Sequence, residues 1–266
     1  MSARTIKYRR ERRDNQTTHH SMNSSRCGAV PLRTLCCMRA IAWDMDGTLV
    51  DTEPRWGIAT YEMATLMGVD LTPEQRAVTV GGTAEHTIST CLEFAGQTPN
   101  LALIDTWKTW FFARMGEILS EGFDFRPGFP TLLKDIHDAS IPQALVTNTA
   151  RSLVDHCLPV IGGAFFATSV AGDEVPRGKP YPDGYARACD LMNVNPDDVL
   201  VVEDSPTGMS AARAAGCRVL GVPVEPGLEL PQGIKTLHEL RGVTSFASRD
   251  GHAWGIDDFR ELWNEL

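Results

Sequence analysis

The chain has no apolar run approaching the roughly 20 residues that cross a bilayer, so no membrane-spanning helix and no membrane partner are expected. It has no Cys-x-x-Cys pair either. Its seven cysteines, Cys27, Cys36, Cys37, Cys91, Cys157, Cys189 and Cys217, are odd in number and scattered. That pattern argues against zinc and for a reducing, cytoplasmic compartment, with Cys189 and Cys217 read as small core residues. Positive charge is scarce: 25 Lys and Arg against 34 Asp and Glu leave a formal net charge of −9. A nucleic-acid binder carries a basic face, so that class is set aside. The exception is the start of the chain, where Arg4, Lys7, Arg9, Arg10, Arg12, Arg13, Arg26 and Arg33 outnumber Glu11 and Asp14. This stretch lacks core-forming residues, and it lacks the apolar segment of roughly 7–15 residues that makes a signal peptide. A transit peptide or a nucleic-acid arm shares its composition. The simpler reading makes residues 1–38 a disordered extension without function, with Met38 the natural start.

Two acidic turns stand out from this background. Asp44-Met45-Asp46-Gly47-Thr48-Leu49 directly follows the apolar run Ala40-Ile41-Ala42-Trp43. Alternate residues of a strand share a face, so the carboxylates of Asp44 and Asp46 can converge on one small reacting group. An Asp-Gly turn alone is commonly only a β-turn. However, Glu203-Asp204 ends a second apolar run, Val199-Leu200-Val201-Val202, and the repetition argues for chemistry.

Four segments in order carry a family resemblance: Asp44-Met45-Asp46-Gly47-Thr48, Leu145-Val146-Thr147-Asn148, Gly178-Lys179-Pro180-Tyr181-Pro182 and Glu203-Asp204-Ser205. Over residues 39–225 the chain resembles the haloacid dehalogenase-like superfamily of phosphate-handling enzymes. The resemblance implies that Asp44 attacks phosphorus and that Asp46 serves as general acid and base. A carboxylate facing a phosphate dianion is repelled, so a cation must bridge them. Asp44, the main-chain carbonyl of Asp46 and Asp204 make an oxygen-rich set suited to Mg²⁺. Glu203 is either a further ligand or a partner for Lys179. Thr147 and Lys179 are the donors expected to clamp the phosphoryl oxygens, with Asn148 beside them at the substrate.

From residue 39 onward, short apolar runs alternate with helical stretches, the pattern of an α/β fold with a helix-covered parallel sheet. Strands are expected at 40–44, 143–147, 166–170, 199–203 and 219–222, with helices at 130–137, 152–158, 185–192 and 208–215. The resemblance adds that the core is Rossmann-like with its first strand central. Residues 39–52 and 123–245 then form the core, 53–122 an inserted helical cap, and 246–266 a C-terminal helical segment. In the insert, the aromatics Trp107, Trp110, Phe111 and Phe112 read as cap core.

The insert is similar to the helical cap of the phosphoglucomutase-like branch, which places specificity in the hinge and in a glycine-bearing cap loop. Trp56, Thr83 and His86 are the candidate substrate contacts there, although a helix cap would explain Thr83 equally well. Positions that carry a lysine and an arginine in β-phosphoglucomutase read here as Val80 and Ala84. Without those cations a second phosphate has no evident anchor. The expected activity is therefore Mg²⁺-dependent hydrolysis of a small phosphomonoester, a sugar or polyol phosphate, through an aspartyl-phosphate. A phosphosugar mutase is the alternative, a catalytically silent binding module a weaker one, and a monomer the default assembly. Because every motif follows Met38, a chain beginning there should keep its thermal midpoint and its turnover, which melting and phosphate-release assays would check.

Overall fold

The computed structural model describes residues 38–80, 83–223 and 227–266. The expected N-terminal extension, with Cys27, Cys36 and Cys37, lies outside the described residues apart from Met38. The chain opens with β1 (Ala40–Trp43), continues into a short β2 (Val50–Asp51), and then enters four helices. These are α1 (Glu53–Met67), α2 (Pro73–Ala77), α3 (Ala84–Phe94) and α4 (Leu101–Ser120). Their return strand is β3 (Asp124–Phe125). Then follow α5 (Thr131–Asp138), β4 (Gln143–Val146), α6 (Arg151–Ile161), β5 (Thr168–Val170), α7 (Asp183–Met192) and β6 (Val199–Glu203). The chain closes with α8 (Pro206–Ala214), β7 (Arg218–Gly221), β8 (Lys235–Thr236), α9 (Leu237–Arg241) and α10 (Ile256–Glu265).

Six of the strands form one parallel sheet in the order β5-β4-β1-β6-β7-β8. Every residue of β1, β4 and β6 is buried, as a sheet covered on both faces requires. Side-chain alternation divides β1 cleanly. Ile41 and Trp43 join the apolar layer shared with α5, α10 and the helical insert. Ala40 and Ala42 join the opposite layer beneath α7 and α8. On the first side Trp43 packs edge-on against Phe129 and tilts against Phe259 of α10, while its Nε1–H donates to Gln143 Oε1 at 3.0 Å.

The chain enters and leaves the helical insert through an antiparallel ribbon, in which Val50 faces Phe125 and Asp51 faces Asp124. Each of these strands is two residues long, too short for periodicity to reveal. Within the insert α4 packs on α1 and α3, and it also lies on α6 of the sheet domain. There Ser120 Oγ and His156 Nδ1 are 2.8 Å apart. Phe111 is buried, and Trp107, Trp110 and Phe112 pack half-buried around it.

Several expected boundaries move. The strands at 40–44 and 143–147 stop one residue early because the chain turns there, although the Asp44 and Thr147 amides still donate to Val202 O and Val170 O, both at 3.1 Å. The helix expected at 152–158 runs over Arg151–Ile161, through Pro159. The 246–266 segment is helical only from Ile256. Before that, Phe246 inserts into the core so closely that a Cβ on Gly128 would meet its carbonyl oxygen at 2.0 Å. The C-terminus thus completes one face of the sheet. Phe259→Ala should cost about 3–5 kcal/mol of stability through the cavity left beside Trp43, measurable by urea unfolding.

Candidate active site

The central strand β1 and its two neighbours end side by side, where the chain crosses from one half of the sheet to the other. This is where open α/β sheets bind ligands. Asp44 follows β1, Thr147 follows β4, Glu203 closes β6 and Asp204 comes next. Carboxylate oxygens of Asp44, Glu203 and Asp204 all lie within 4.8 Å of one another.

Lys179 enters this cluster from the segment before α7. Its Nζ donates to Asp44 Oδ1 at 2.5 Å, Glu203 Oε1 at 2.6 Å and Val146 O at 3.0 Å. The three side chains are nearly sealed, with 6% exposure for Lys179, 8% for Asp44 and 0% for Glu203. Burial alone would lower the lysine's pKa, but the Asp44 and Glu203 carboxylates outweigh it and raise the value. Asp44 moves well above the ordinary carboxylate range because of burial and the charges of Glu203 and Asp204, with Lys179 opposing.

Glu203 accepts four hydrogen bonds. Oε1 takes Lys179 Nζ and the Tyr185 hydroxyl at 3.0 Å, and Oε2 takes the Ser205 amide and hydroxyl, each at 3.0 Å. Of the two roles the sequence leaves open for Glu203, the hydrogen bonds supply that of lysine partner. As a metal ligand it would have to surrender donors that already occupy both oxygens. Asp204 is different. Its recorded side-chain donor is the Thr48 hydroxyl, at a long 3.4 Å from Oδ1. Burial, followed by the charge of Glu203, pushes its carboxyl up to about 7. Gly47, at φ +86°, lets the turn lie against it, since a Cβ there would sit 2.2 Å from Asp204 Oδ2.

Asp46 faces three hydroxyls. Thr52 donates to Oδ1 at 2.5 Å, while Thr147 and Thr149 donate to Oδ2 at 3.2 and 2.7 Å. Thr147 is therefore directed at Asp46 in this structure, and its oxygen also accepts the Thr149 amide at 3.0 Å. Thr52 and Thr149 are absent from the sequence-derived set. Thr149 could have been found by the alternation that links Asp44 to Asp46, because it stands two residues after Thr147. Thr52 reads as a helix cap before Glu53-Pro54, yet its side chain makes no capping bond.

Asn148 holds the lysine's backbone: its Oδ1 accepts the Lys179 amide at 2.8 Å, and its Nδ2 donates to the Lys179 carbonyl at 3.3 Å. The cap candidates have local partners as well. Thr83 caps α3 by accepting the His86 amide at 3.2 Å, and the His86 Nε2 lies 3.3 Å from Val78 O. The Trp56 ring packs on Phe111 with centroids 5.6 Å apart. Among the described residues no hydrogen bond ties these three to the carboxylates, and the neighbouring Gly81 and Gly82 lie outside them.

Three carboxylates around one ammonium leave an excess of two negative charges, and the available donors are all oxygen. That set fits a hard divalent cation held by Asp44 and Asp204.

Residues 38–216 match the haloacid dehalogenase-like hydrolases, and the chain belongs to that family. It is 27% identical over 190 residues to a phosphoglycolate phosphatase of Pectobacterium atrosepticum, covering 71% of this chain and 81% of the relative. Over 211 residues it is 31% identical to hexitol phosphatase A of Escherichia coli K12, covering 77% and 93% of the two chains. The crystal structure of CbbY from Rhodobacter sphaeroides in complex with phosphate superposes with a TM-score of 0.69 at 27% identity, covering 83% of this chain and 98% of that one.

The raised carboxyls of Asp44 and Asp204 have a consequence for stability. Without a cation the folded state holds their protons more tightly than the unfolded chain does. Their contribution is therefore present at low pH and lost as pH rises through the folded-state values, for Asp204 from about 4 through about 7. A divalent cation needs the ionised forms, so it should raise the melting temperature more at about pH 8 than at about pH 5.5. Equal shifts at both pH values in melting curves with and without chelator would contradict the assignment.

Proposed function

We propose that this protein is a Mg²⁺-dependent phosphatase that hydrolyses a small sugar or polyol phosphate in the cytoplasm. The observation that carries the reading is the sealed Lys179 ammonium bridging Asp44 and Glu203 beside Asp204. A lysine set there meets an anionic group with both sides of its charge balance prepared. The names of the relatives, a phosphoglycolate phosphatase and a hexitol phosphatase, agree with a small phosphorylated substrate.

In the proposed reaction an Asp44 carboxylate oxygen attacks phosphorus as the bond to the leaving oxygen breaks, giving an aspartyl-phosphate. The Asp46 carboxyl passes its proton to the departing alkoxide. Asp46 then takes a proton from water as the water oxygen attacks phosphorus, which releases inorganic phosphate and restores Asp44. Lys179 balances charge on the phosphoryl oxygens, and Glu203 holds Lys179. When bound by Asp44, Asp204 and the main-chain carbonyl of Asp46, Mg²⁺ supplies the positive charge that lets an anionic nucleophile approach a phosphate.

The mutase reading loses support in the insert. Val80 and Ala84 carry no charge. Of the insert's four cations, Arg76, Lys108 and Arg114 are already paired with Glu53, Glu85 and Glu62, and Arg55 makes no ion pair among the described residues. A second phosphate would compete with each of those carboxylates.

A panel of small phosphomonoesters tests this directly. Phosphate should be released without a bisphosphate primer, activity should vanish in chelator and return with Mg²⁺, and Ca²⁺ should not replace it. Sugar-phosphate interconversion without release would support the mutase, and silence across the panel the binding module. Asp44→Asn should fold and lose at least about 100-fold in turnover, because an amide cannot form the acyl-phosphate. A folded variant with near-native kcat would sink the mechanism.

A further inference from the structure

We infer that Tyr185 is a positioning residue of this site, setting the catalytic lysine from beneath through Glu203. The inference rests on the phosphatase reading above.

Tyr185 lies on α7, three residues after Pro182, the last residue of the lysine motif, and is 1% exposed. Its hydroxyl donates to Glu203 Oε1 at 3.0 Å, the same oxygen that Lys179 Nζ approaches at 2.6 Å. The face of its ring lies 5.1 Å from that Nζ. One side chain therefore touches the ammonium twice, by its π-face and through the shared oxygen.

The Glu203 carboxylate has little freedom to compensate for a lost donor. Ser205 holds Oε2 from two sides, and a Cβ on Gly208 would fall 1.6 Å from Oε1. That oxygen shares its negative charge between Lys179 and Tyr185. Without the hydroxyl, Oε1 would attract the ammonium alone and draw it from Asp44 Oδ1, which it now contacts at 2.5 Å. The loss would be felt where charge develops on the transferring phosphoryl group, hence in turnover more than in substrate binding. A tyrosine that merely filled the core would act through stability alone.

The test is a double-mutant cycle of Tyr185→Phe and Lys179→Ala, with melting temperature, kcat and KM measured on the best phosphomonoester of the panel. Tyr185→Phe keeps the ring and should lower kcat about tenfold, as expected for a hydrogen bond to a charged group, with KM within about twofold. A ring-fluorinated tyrosine at position 185 retains the hydroxyl and should restore kcat to within about twofold. In the Lys179→Ala background the same Tyr185→Phe change should add less than about twofold, since its effect passes through the missing ammonium. The cycle is read again in the affinity for inorganic phosphate with Mg²⁺ by calorimetry, where Tyr185→Phe should weaken binding only when Lys179 is present. An unchanged kcat with a lowered melting temperature, or equal losses with and without Lys179, overturns the inference. A wild-type protein that hydrolyses nothing overturns the phosphatase reading instead, and the phosphate-affinity cycle then decides the role of Tyr185 by itself.

Discussion

One buried ammonium among three carboxylates is the constraint around which the site is built. Like charges this close resist burial together unless a cation lies between them. Two adjacent parallel strands, β1 and β6, are spaced closely enough to bring Asp44, Glu203 and Asp204 together at their carboxyl ends, but no strand of the sheet delivers the cation. Lys179 instead arrives on an irregular segment whose backbone has to be held in place. Asn148 holds it, gripping the Lys179 amide and carbonyl from the end of β4. The residue after Thr147 thus serves the lysine.

Two glycines are needed for the same reason. Gly208 lies in the first turn of α8 against the Glu203 carboxylate, and any side chain there would occupy the carboxylate's space. Gly47 allows the Asp46-Gly47-Thr48 turn to close over Asp204 at a positive φ that other residues rarely adopt. Each glycine marks an acidic group packed against backbone, and therefore unable to swing away when its charge changes. The rigidity matters because a cation site made of mobile carboxylates would collapse onto its own lysine.

Much of this arrangement could be read in the chain. The runs before Asp44, Thr147 and Asp204 are short and mostly apolar, so their strands follow from pattern, while the central place of the first strand came from the resemblance. Of the hydroxyls around Asp46, that of Thr52 was not legible. Thr52 occupies the position before Glu53-Pro54 where a threonine caps a helix, and nothing local indicates that its hydroxyl goes to Asp46. Tyr185 sits in a helical pattern where an aromatic is ordinarily core, and its partner Glu203 is 18 residues away. Side-chain partners across such distances are fixed by tertiary packing, which periodicity does not report. Thr83 shows the converse. Its local reading as a cap is met by the bond from the His86 amide.

The insert and the sheet domain meet at two kinds of contact with different consequences. At the α4–α6 contact, Ser120 pairs with His156, and Gly116 is small enough to admit the imidazole, whose Nε2 a Cβ would meet at 2.8 Å. At the ribbon only two residues of each strand pair, and the next residue, Thr52, reaches Asp46. The Asp46 carboxylate is thus tied to the first residue ahead of the insert. Three of the insert's four cations are engaged in Arg76–Glu53, Lys108–Glu85 and Arg114–Glu62 pairs, and acidic residues outnumber cations there. Strong anion attraction is therefore concentrated in the sheet domain, around Lys179.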